Sequence, residues 1–404
     1  MIHIKYLYKA TNRSGQTFEG IIEAADRNAV ISALKSKSLY LLELSDANPK
    51  SATEINFGSA KIPKKTLAVF CMQFASILKA GVPLTQSLSI LNEQLENPKL
   101  KKIVESVNDD LQRGRSLADA FSAHEKSLPA IMIKMIEAGE ISGTLDLSLQ
   151  RLATHFEKEY AITKKIKSAM MYPTVIAVVA LMVVTFLLIF IVPKFTAIFE
   201  TTGHEMPGIT AFVLSISKFI TNDWLYLLVG IIVVFALFRL YKSSPAGRLQ
   251  YDTIKLKIPV IGKASLRIMT ARLCRTLSTL TSAGISLTQS IRIASKVVSN
   301  RLAEVRLLDI EDQIKQGKTL NLAIKSAGIF PGMLMHMTKI GEESGTLDEM
   351  LERASAYFEE EADSAIAKVT ALLQPILLVV VAVMVLFIIL SVMLPMFSIY
   401  STIG

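Results

Sequence analysis

Few residue groups in this 404-residue chain could do chemistry, and each lacks a part that its chemistry needs. Gly317-Lys318-Thr319 matches the tail of a phosphate-binding loop, in which backbone N–H groups cradle phosphates. That loop needs another glycine where Asp312 stands and a strand before it, and neither is present. The histidines at 3, 124, 155, 204 and 336 show no paired spacing for a metal, and no Gly-x-Ser-x-Gly elbow offers a nucleophile. Glu359, Glu360, Glu361 and Asp363 offer carboxylates to a cation, but no loop fixes them, so the run reads as a solvated helix face. Cys71 and Cys274 are too few for a disulfide framework or a zinc site. No catalytic residue, cofactor or metal site is expected, and the chain is not expected to be an enzyme.

What repeats is more informative than what reacts. Ala80-Gly81-Val82-Pro83-Leu84-Thr85-Gln86-Ser87 returns as Ala283-Gly284-Ile285-Ser286-Leu287-Thr288-Gln289-Ser290. Gly114-Arg115-Ser116-Leu117 returns as Gly317-Lys318-Thr319-Leu320. Gly139-Glu140-Ile141-Ser142-Gly143-Thr144-Leu145-Asp146 returns as Gly341-Glu342-Glu343-Ser344-Gly345-Thr346-Leu347-Asp348. Cys71 and Cys274 occupy one repeat position, as do Pro173 and Pro375. Gly81, Gly284, Gly139 and Gly341 read as helix stops, and Ser116 with Asp119, Ser286 with Gln289 and Thr346 with Glu349 as capping boxes. Leu67, Phe70, Phe74, Ile77 and Leu78 form an apolar stripe at helical spacing. Each copy is thus expected to be an antiparallel bundle of about six helices, the last one (about 144–170 or 346–372) leading into a span. Most of the repeated polar residues are explained by capping. Glu140 and Glu342, read as lying in turns, are the candidates for a partner-facing surface, together with the repeated Gly81, Gly114, Gly143, Thr144, Gly284, Gly317, Gly345 and Thr346.

Apolar residues make up 51% of the chain and are concentrated in three stretches, which excludes one large soluble enzyme. Thr174 to Val192 and Ile376 to Leu394 carry no charge and approach the ~20 residues that cross a bilayer. Trp224 to Phe238 is a shorter third span, with Trp224, Tyr226 and Tyr241 as an aromatic belt and Arg239 able to snorkel. Ile209 to Ile220 reads as an amphipathic segment beside the membrane. Basic residues cluster at Lys158, Lys164, Lys165 and Lys167 before the first span and from Arg239 to Arg267 after the second. Lys194 and Lys218 between these spans are offset by Glu200, Glu205 and Asp223. Both bundles and the N-terminus are therefore expected in the cytoplasm, with the 193–222 loop and the C-terminus outside. The N-terminus carries no signal-peptide pattern. The net charge of +9 becomes an orientation signal with some affinity for anionic lipid. No motif turns it towards nucleic acid.

Residues 1–44 read as a ββαβ module: strands at Ile4–Ala10 and Thr17–Ala25 around a turn at 12–15, a helix from Asp26 to Lys37, and a strand at Leu39–Leu44. Its small core suits a docking element. A linker follows at 45–62, then a first bundle at 63–171, a span at 172–192, a loop at 193–222, a span at 223–241, a second bundle at 242–373, a span at 374–394 and a tail at 395–404. The fold class is mainly α and polytopic. Pro173 and Pro375 mark the membrane junctions as kinks or helix starts.

These repeated motifs, each ahead of a span, resemble the inner-membrane platform proteins of type II secretion and type IV pilus machines (the GspF/PilC family). Tyr6-x-Tyr8-x-Ala10 with Gly15 and Gly20 is similar to that family's first segment. The resemblance covers essentially the whole chain. It implies a non-enzymatic, oligomeric platform in the bacterial inner membrane, working with a cytoplasmic assembly ATPase, pilins or pseudopilins, and other inner-membrane assembly proteins. A transporter is the alternative, and it would need polar groups in the spans. A receptor would need a larger external domain.

Overall fold

The computed structural model describes residues 4–11, 17–24, 27–36, 39–46, 62–194 and 208–403. The chain divides into two units, Met1–Ala60 and Lys61–Gly404. In the first, strand β1 (Ile4–Thr11) pairs antiparallel with both β2 (Thr17–Ala24) and β3 (Tyr40–Asp46), giving the order β2-β1-β3. Helix α1 (Arg27–Ser36) contributes Val30 and Leu34 to a small core that also holds Ala10. The expected turn at 12–15, the Asp26 cap and most of the expected linker lie outside the described residues.

The second unit is helical. Helices α2 (Lys64–Lys79), α3 (Leu84–Gln94), α4 (Pro98–Gln112), α5 (Leu117–Ser122), α6 (Ala130–Ser142) and α7 (Leu145–Phe186) make a first bundle and a span. A π turn at Leu187–Ile191 follows. Next come α8 (Gly208–Asn222), α9 (Trp224–Ser243) and α10 (Pro245–Lys257). Helices α11 (Ile261–Thr281), α12 (Leu287–Val297), α13 (Arg301–Lys315), α14 (Leu320–Ala327), α15 (Gly332–Ser344) and α16 (Leu347–Ile403) then repeat the plan. Each six-helix set has its own core. Phe70, Phe74, Leu88, Phe121 and Met132 centre the first, and Leu273, Leu277, Ile310, Leu334 and Phe358 the second. Cys71 and Cys274 are buried and free, and burial pushes both thiols above their ordinary pKa.

The caps explain why the helices start and stop where they do. Asn97 Oδ1 accepts from Leu100 N at 3.0 Å, and its second-copy equivalent Asn300 accepts from Ala303 N at 3.0 Å. Gly114 and Gly317 both have φ of +86°, the left-handed conformation that closes a helix without a Cβ clash. Gly139 and Gly341 do something else. They lie inside α6 and α15, not at stops, and both are buried. A Cβ on Gly341 would stand 2.9 Å from Leu347 Cα, and one on Gly139 2.7 Å from Ser148 Oγ. These glycines let each helix press against the long helix that follows it.

Two expected capping boxes are corrected. Ser286 is an N-cap, but its hydroxyl bonds no backbone N–H and lies 3.4 Å from Thr288 Oγ1. The Thr346 hydroxyl bonds Ser344 Oγ at 2.6 Å, as Thr144 bonds Ser142 at 2.7 Å. Ser116 behaves as expected, accepting from Asp119 N at 3.1 Å.

Among the described residues, three helices are long and apolar enough to cross a membrane: Leu145–Lys194, Trp224–Ser243 and Leu347–Leu394. The first and third run unbroken from bundle to span. Pro173 and Pro375 therefore sit inside helices and start none. The last helix also continues through the expected tail to Ile403. Helix α8, apolar but shorter than these three, touches both long helices, with Val213 packed near Leu188, Val192 and Ile388. Ser217 Oγ donates to Leu188 O at 2.6 Å, where the π turn alters the backbone pairing, and Thr210 Oγ1 donates to Ser391 O at 2.9 Å. Asp252 of α10 accepts from Arg301 N at 2.7 Å, tying the middle span to the second bundle.

The close approach at Gly341 predicts that Gly341→Ala lowers stability by about 1–3 kcal/mol. Gly332→Ala, in the same helix but facing open space, should change it by less than about 0.5 kcal/mol. Thermal melting of the detergent-solubilised protein compares the two.

Candidate functional site

The chemically densest place in the molecule is the seam between the two bundles. On the first bundle it is formed by Arg151, His155 and Glu159, successive turns on one face of α7. On the second it is formed by α11, with Arg272 and Arg275, by the turn after it, and by Glu359 of α16. Leu280, Ile285 and Ile293 of the second copy enter the first bundle's core, so the seam is an extension of that core. Arg151 donates to the carbonyl of Ser282, closing the turn-side end.

Glu159 is the centre. Its side chain is only 1% exposed, it pairs with Lys64, and its Oε1 lies 3.3 Å from Arg272 Nε and 3.7 Å from Arg275 Nη1. Burial alone would raise its pKa, but Arg272 and Lys64 outweigh burial and hold it below the ordinary carboxylate value. Arg275 Nε donates to Glu359 Oε1 at 3.0 Å, and Ser355 Oγ donates to the same oxygen at 3.0 Å. Lys158 Nζ reaches Glu359 Oε2 at 3.3 Å, so the Glu359 carboxylate also bridges the bundles. Lys165 of α7 pairs with Asp363 of α16 one step further toward the membrane. The acidic run at 359–363 is thus corrected in part: Glu359, Glu361 and Asp363 are ion-paired, while Glu360 stays on the solvated face. Among the described residues, no group of three or more His, Cys, Asp or Glu is arranged to hold a metal ion.

His155, one turn from Glu159, is buried with Nδ1 unpartnered. Burial lowers its pKa to about 4, against the opposing pull of Glu159 and with help from Arg275 and Lys64. It is therefore neutral at pH 7.

The residues singled out by the repeat are placed elsewhere, except Gly284, whose turn closes one end of the seam. Gly81, Gly143, Gly284 and Gly345 take positive φ at exposed helix ends, as Gly114 and Gly317 do. Glu140 and Glu342 lie in the last turns of α6 and α15, not in the turns that follow. Glu140 accepts from Leu117 N at 2.7 Å and from Ala118 N at 2.8 Å. Glu342 does the same for Leu320 N and Asn321 N. Each carboxylate caps a short helix of its own bundle, at the end favoured by the helix dipole. Pro173 is buried and Pro375 exposed, both far from the seam.

Motif repetition missed Glu159, Arg272 and Arg275. A signal was present: Glu159 and His155 interrupt the buried stripe of Leu149, Leu152 and Phe156, and the two arginines stand where the first copy has Val69 and Met72.

The depressed His155 pKa has a sign that can be checked. The unfolded chain takes up this proton near pH 6.5 and the folded chain near pH 4, so stability is complete above pH 6.5 and falls between these values. His155→Phe should remove roughly 3 kcal/mol of that pH dependence. Glu159 acts lower, its stabilisation being lost as pH falls through its own depressed pKa. Melting curves of wild type and His155→Phe from pH 4 to 7.5 test this.

Comparison with known proteins agrees with the duplication. The family described as "Type II secretion system (T2SS), protein F" matches twice, over residues 70–193 and 273–395. "Type II secretion system protein F, N-terminal domain" matches residues 4–45. "Type IV pilus assembly protein PilC" of Thermus thermophilus is 35% identical over 402 residues, 99% of each chain. "Type IV pilus assembly protein TapC" of Aeromonas hydrophila is 33% identical, covering 99% of this chain and 96% of its own. "Type II secretion system protein F" of Vibrio cholerae is 32% identical over 96% of each chain. Two matched copies of one helical bundle, each leading into a span, and relatives similar from end to end show that this chain belongs to the type II secretion system protein F family.

Proposed function

We propose that the chain is the inner-membrane platform of a type IV pilus or type II secretion machine. In this role it couples a cytoplasmic assembly ATPase to the insertion of pilin or pseudopilin subunits into a filament. The observation that carries this is continuity. Each bundle is joined to its span by one unbroken helix, and a buried ion cluster clamps the two bundles together. Force applied to a bundle reaches the membrane without passing through a flexible joint. The basic flanks support bundles and N-terminus in the cytoplasm, with α8 and the C-terminal end on the periplasmic side.

In this reading the N-terminal module docks a partner. The exposed repeated turns at Gly81, Gly114 and Gly143, and at Gly317 and Gly345, face partners of the machine, whereas the turn at Gly284 packs against the first bundle. Glu140 and Glu342 hold the bundle shape behind those turns by capping α5 and α14. Thr144 and Thr346 complete the same turns. Other inner-membrane assembly proteins and further copies of the chain surround the spans. The family comprises platform proteins and is not a known enzyme family, and no reaction is proposed for this chain.

The test has two parts. A pull-down with the assembly ATPase of the same organism should retain the chain, and loss of that retention on removing both bundles would agree. Linking Arg151→Cys to Ser282→Cys with a bifunctional maleimide fixes a contact that the clamp already makes and should leave filament assembly intact. Opening the clamp with Arg272→Ala and Arg275→Ala should lower assembly, and the linker should restore it. Filaments that form normally from the unclamped, unlinked protein would sink the relay, and an ATPase that never binds would sink the platform reading.

A further inference from the structure

The seam within the chain joins two copies of one bundle, and it uses different faces of each. The first copy contributes the face of its last helix with Arg151, His155 and Glu159. The second contributes the face of its first helix with Arg272 and Arg275, flanked by Glu359 of α16. The repeat gives each face a twin. Cys71 and Cys274 align the first helices, so Arg272 and Arg275 correspond to Val69 and Met72. Gly139 and Gly341 align the last helices, so Arg151, His155 and Glu159 correspond to Arg353, Tyr357 and Glu361.

Both twins are open. Val69 is 45% exposed and Met72 50%, whereas Arg275 is 7% exposed. Tyr357 is 42% exposed, whereas His155 is 3% exposed. The chain therefore ends with one unused face of each kind: an uncharged stripe on α2 and an Arg-Tyr-Glu stripe on α16. Only a heterologous contact leaves such a pair, because a two-fold seam would have consumed both faces of each bundle.

We propose that these two faces meet between neighbouring copies of this chain, repeating head to tail the contact that joins the bundles within it. The chemistry matches. Arg353, which pairs with Glu349 at 2.6 Å in the single chain, turns to the carbonyl of Lys79 of the next copy, as Arg151 reaches that of Ser282. The Tyr357 ring covers Val69 and Met72, where His155 lies near Arg275. Glu361 remains with Arg267 of its own bundle, 2.7 Å away, as Glu159 remains with Lys64. The absence of arginines at 69 and 72 leaves Glu361 with its single partner, so this joint lacks the ion cluster and is the weaker of the two. The contact follows from the repeat alone, so it stands or falls apart from the filament-assembly reading.

The experiment co-expresses two differently tagged full-length chains, one with Met72→Cys and one with Tyr357→Cys, and treats membranes with a short bismaleimide. The native cysteines are buried, which keeps background low. A mixed-tag dimer band at least tenfold above that from Ile141→Cys with Tyr357→Cys is expected, Ile141 being 81% exposed but off the face. Met72→Asp should lower the oligomeric fraction in native nanodiscs at least fivefold, while melting is unchanged. No mixed band overturns the proposal. So do equal Met72–Met72 and Tyr357–Tyr357 bands, which would mean a two-fold contact.

Discussion

The carboxylate of Glu159, shut away from water between two copies of one bundle, is the constraint on which the rest of the structure turns. A buried charge is tolerable only when opposite charges surround it, and here Lys64, Arg272 and Arg275 do so. Such a cluster is not an efficient source of stability, since well-packed apolar side chains of similar volume often do as well. It is an efficient source of uniqueness. Any sliding of the second bundle along the first would strand either the acid or the arginines in a dry seam, at a cost of several kcal/mol. The apolar residues make the bundles stick, and the ions decide where.

The pair of Lys64 with Glu159 has an exact counterpart in meaning, though not in chemistry, in Arg267 with Glu361. Lys64 precedes Cys71 by seven residues, as Arg267 precedes Cys274, and both pairs join the first helix of a bundle to its last. The pair that the two copies share thus joins helices of one bundle. The second copy's Arg272 and Arg275 add to the first copy's pair and make it a cluster between bundles. Two positions of α11 separate an ion pair within a bundle from an inter-bundle lock.

Much of this was legible in the sequence. The spans were visible because a helix apolar on every face for nineteen residues has no other solvent, and the glycine turns because left-handed backbone selects glycine. The six-helix plan followed from both. What resisted was everything that depends on one helix meeting another. Gly139 looks like a stop signal by local rules, and only the crossing of α6 over α7 shows that its missing side chain makes room for Ser148. Glu140 looks like a surface acid, and only the fold brings it to the start of α5. Glu359 and Asp363 look like a solvated run until Arg275 of their own bundle and, from roughly two hundred residues away, lysines of the first bundle meet them. Local propensity is written residue by residue, while pairing across a seam is written in two places at once.

The crossbar formed by α8 has a mechanical corollary. The long helices α7 and α16 are fastened to each other near Glu159 and Glu359, and again through α8 near Leu188 and Ser391. These levels are about 44 Å apart at 1.5 Å per residue. Two rods fastened at both ends form a closed frame, so neither can splay from the other like the legs of a compass. The motions left to them are turning together as one body or creeping past one another by small shear. A push on either bundle is then felt in both membrane helices at once.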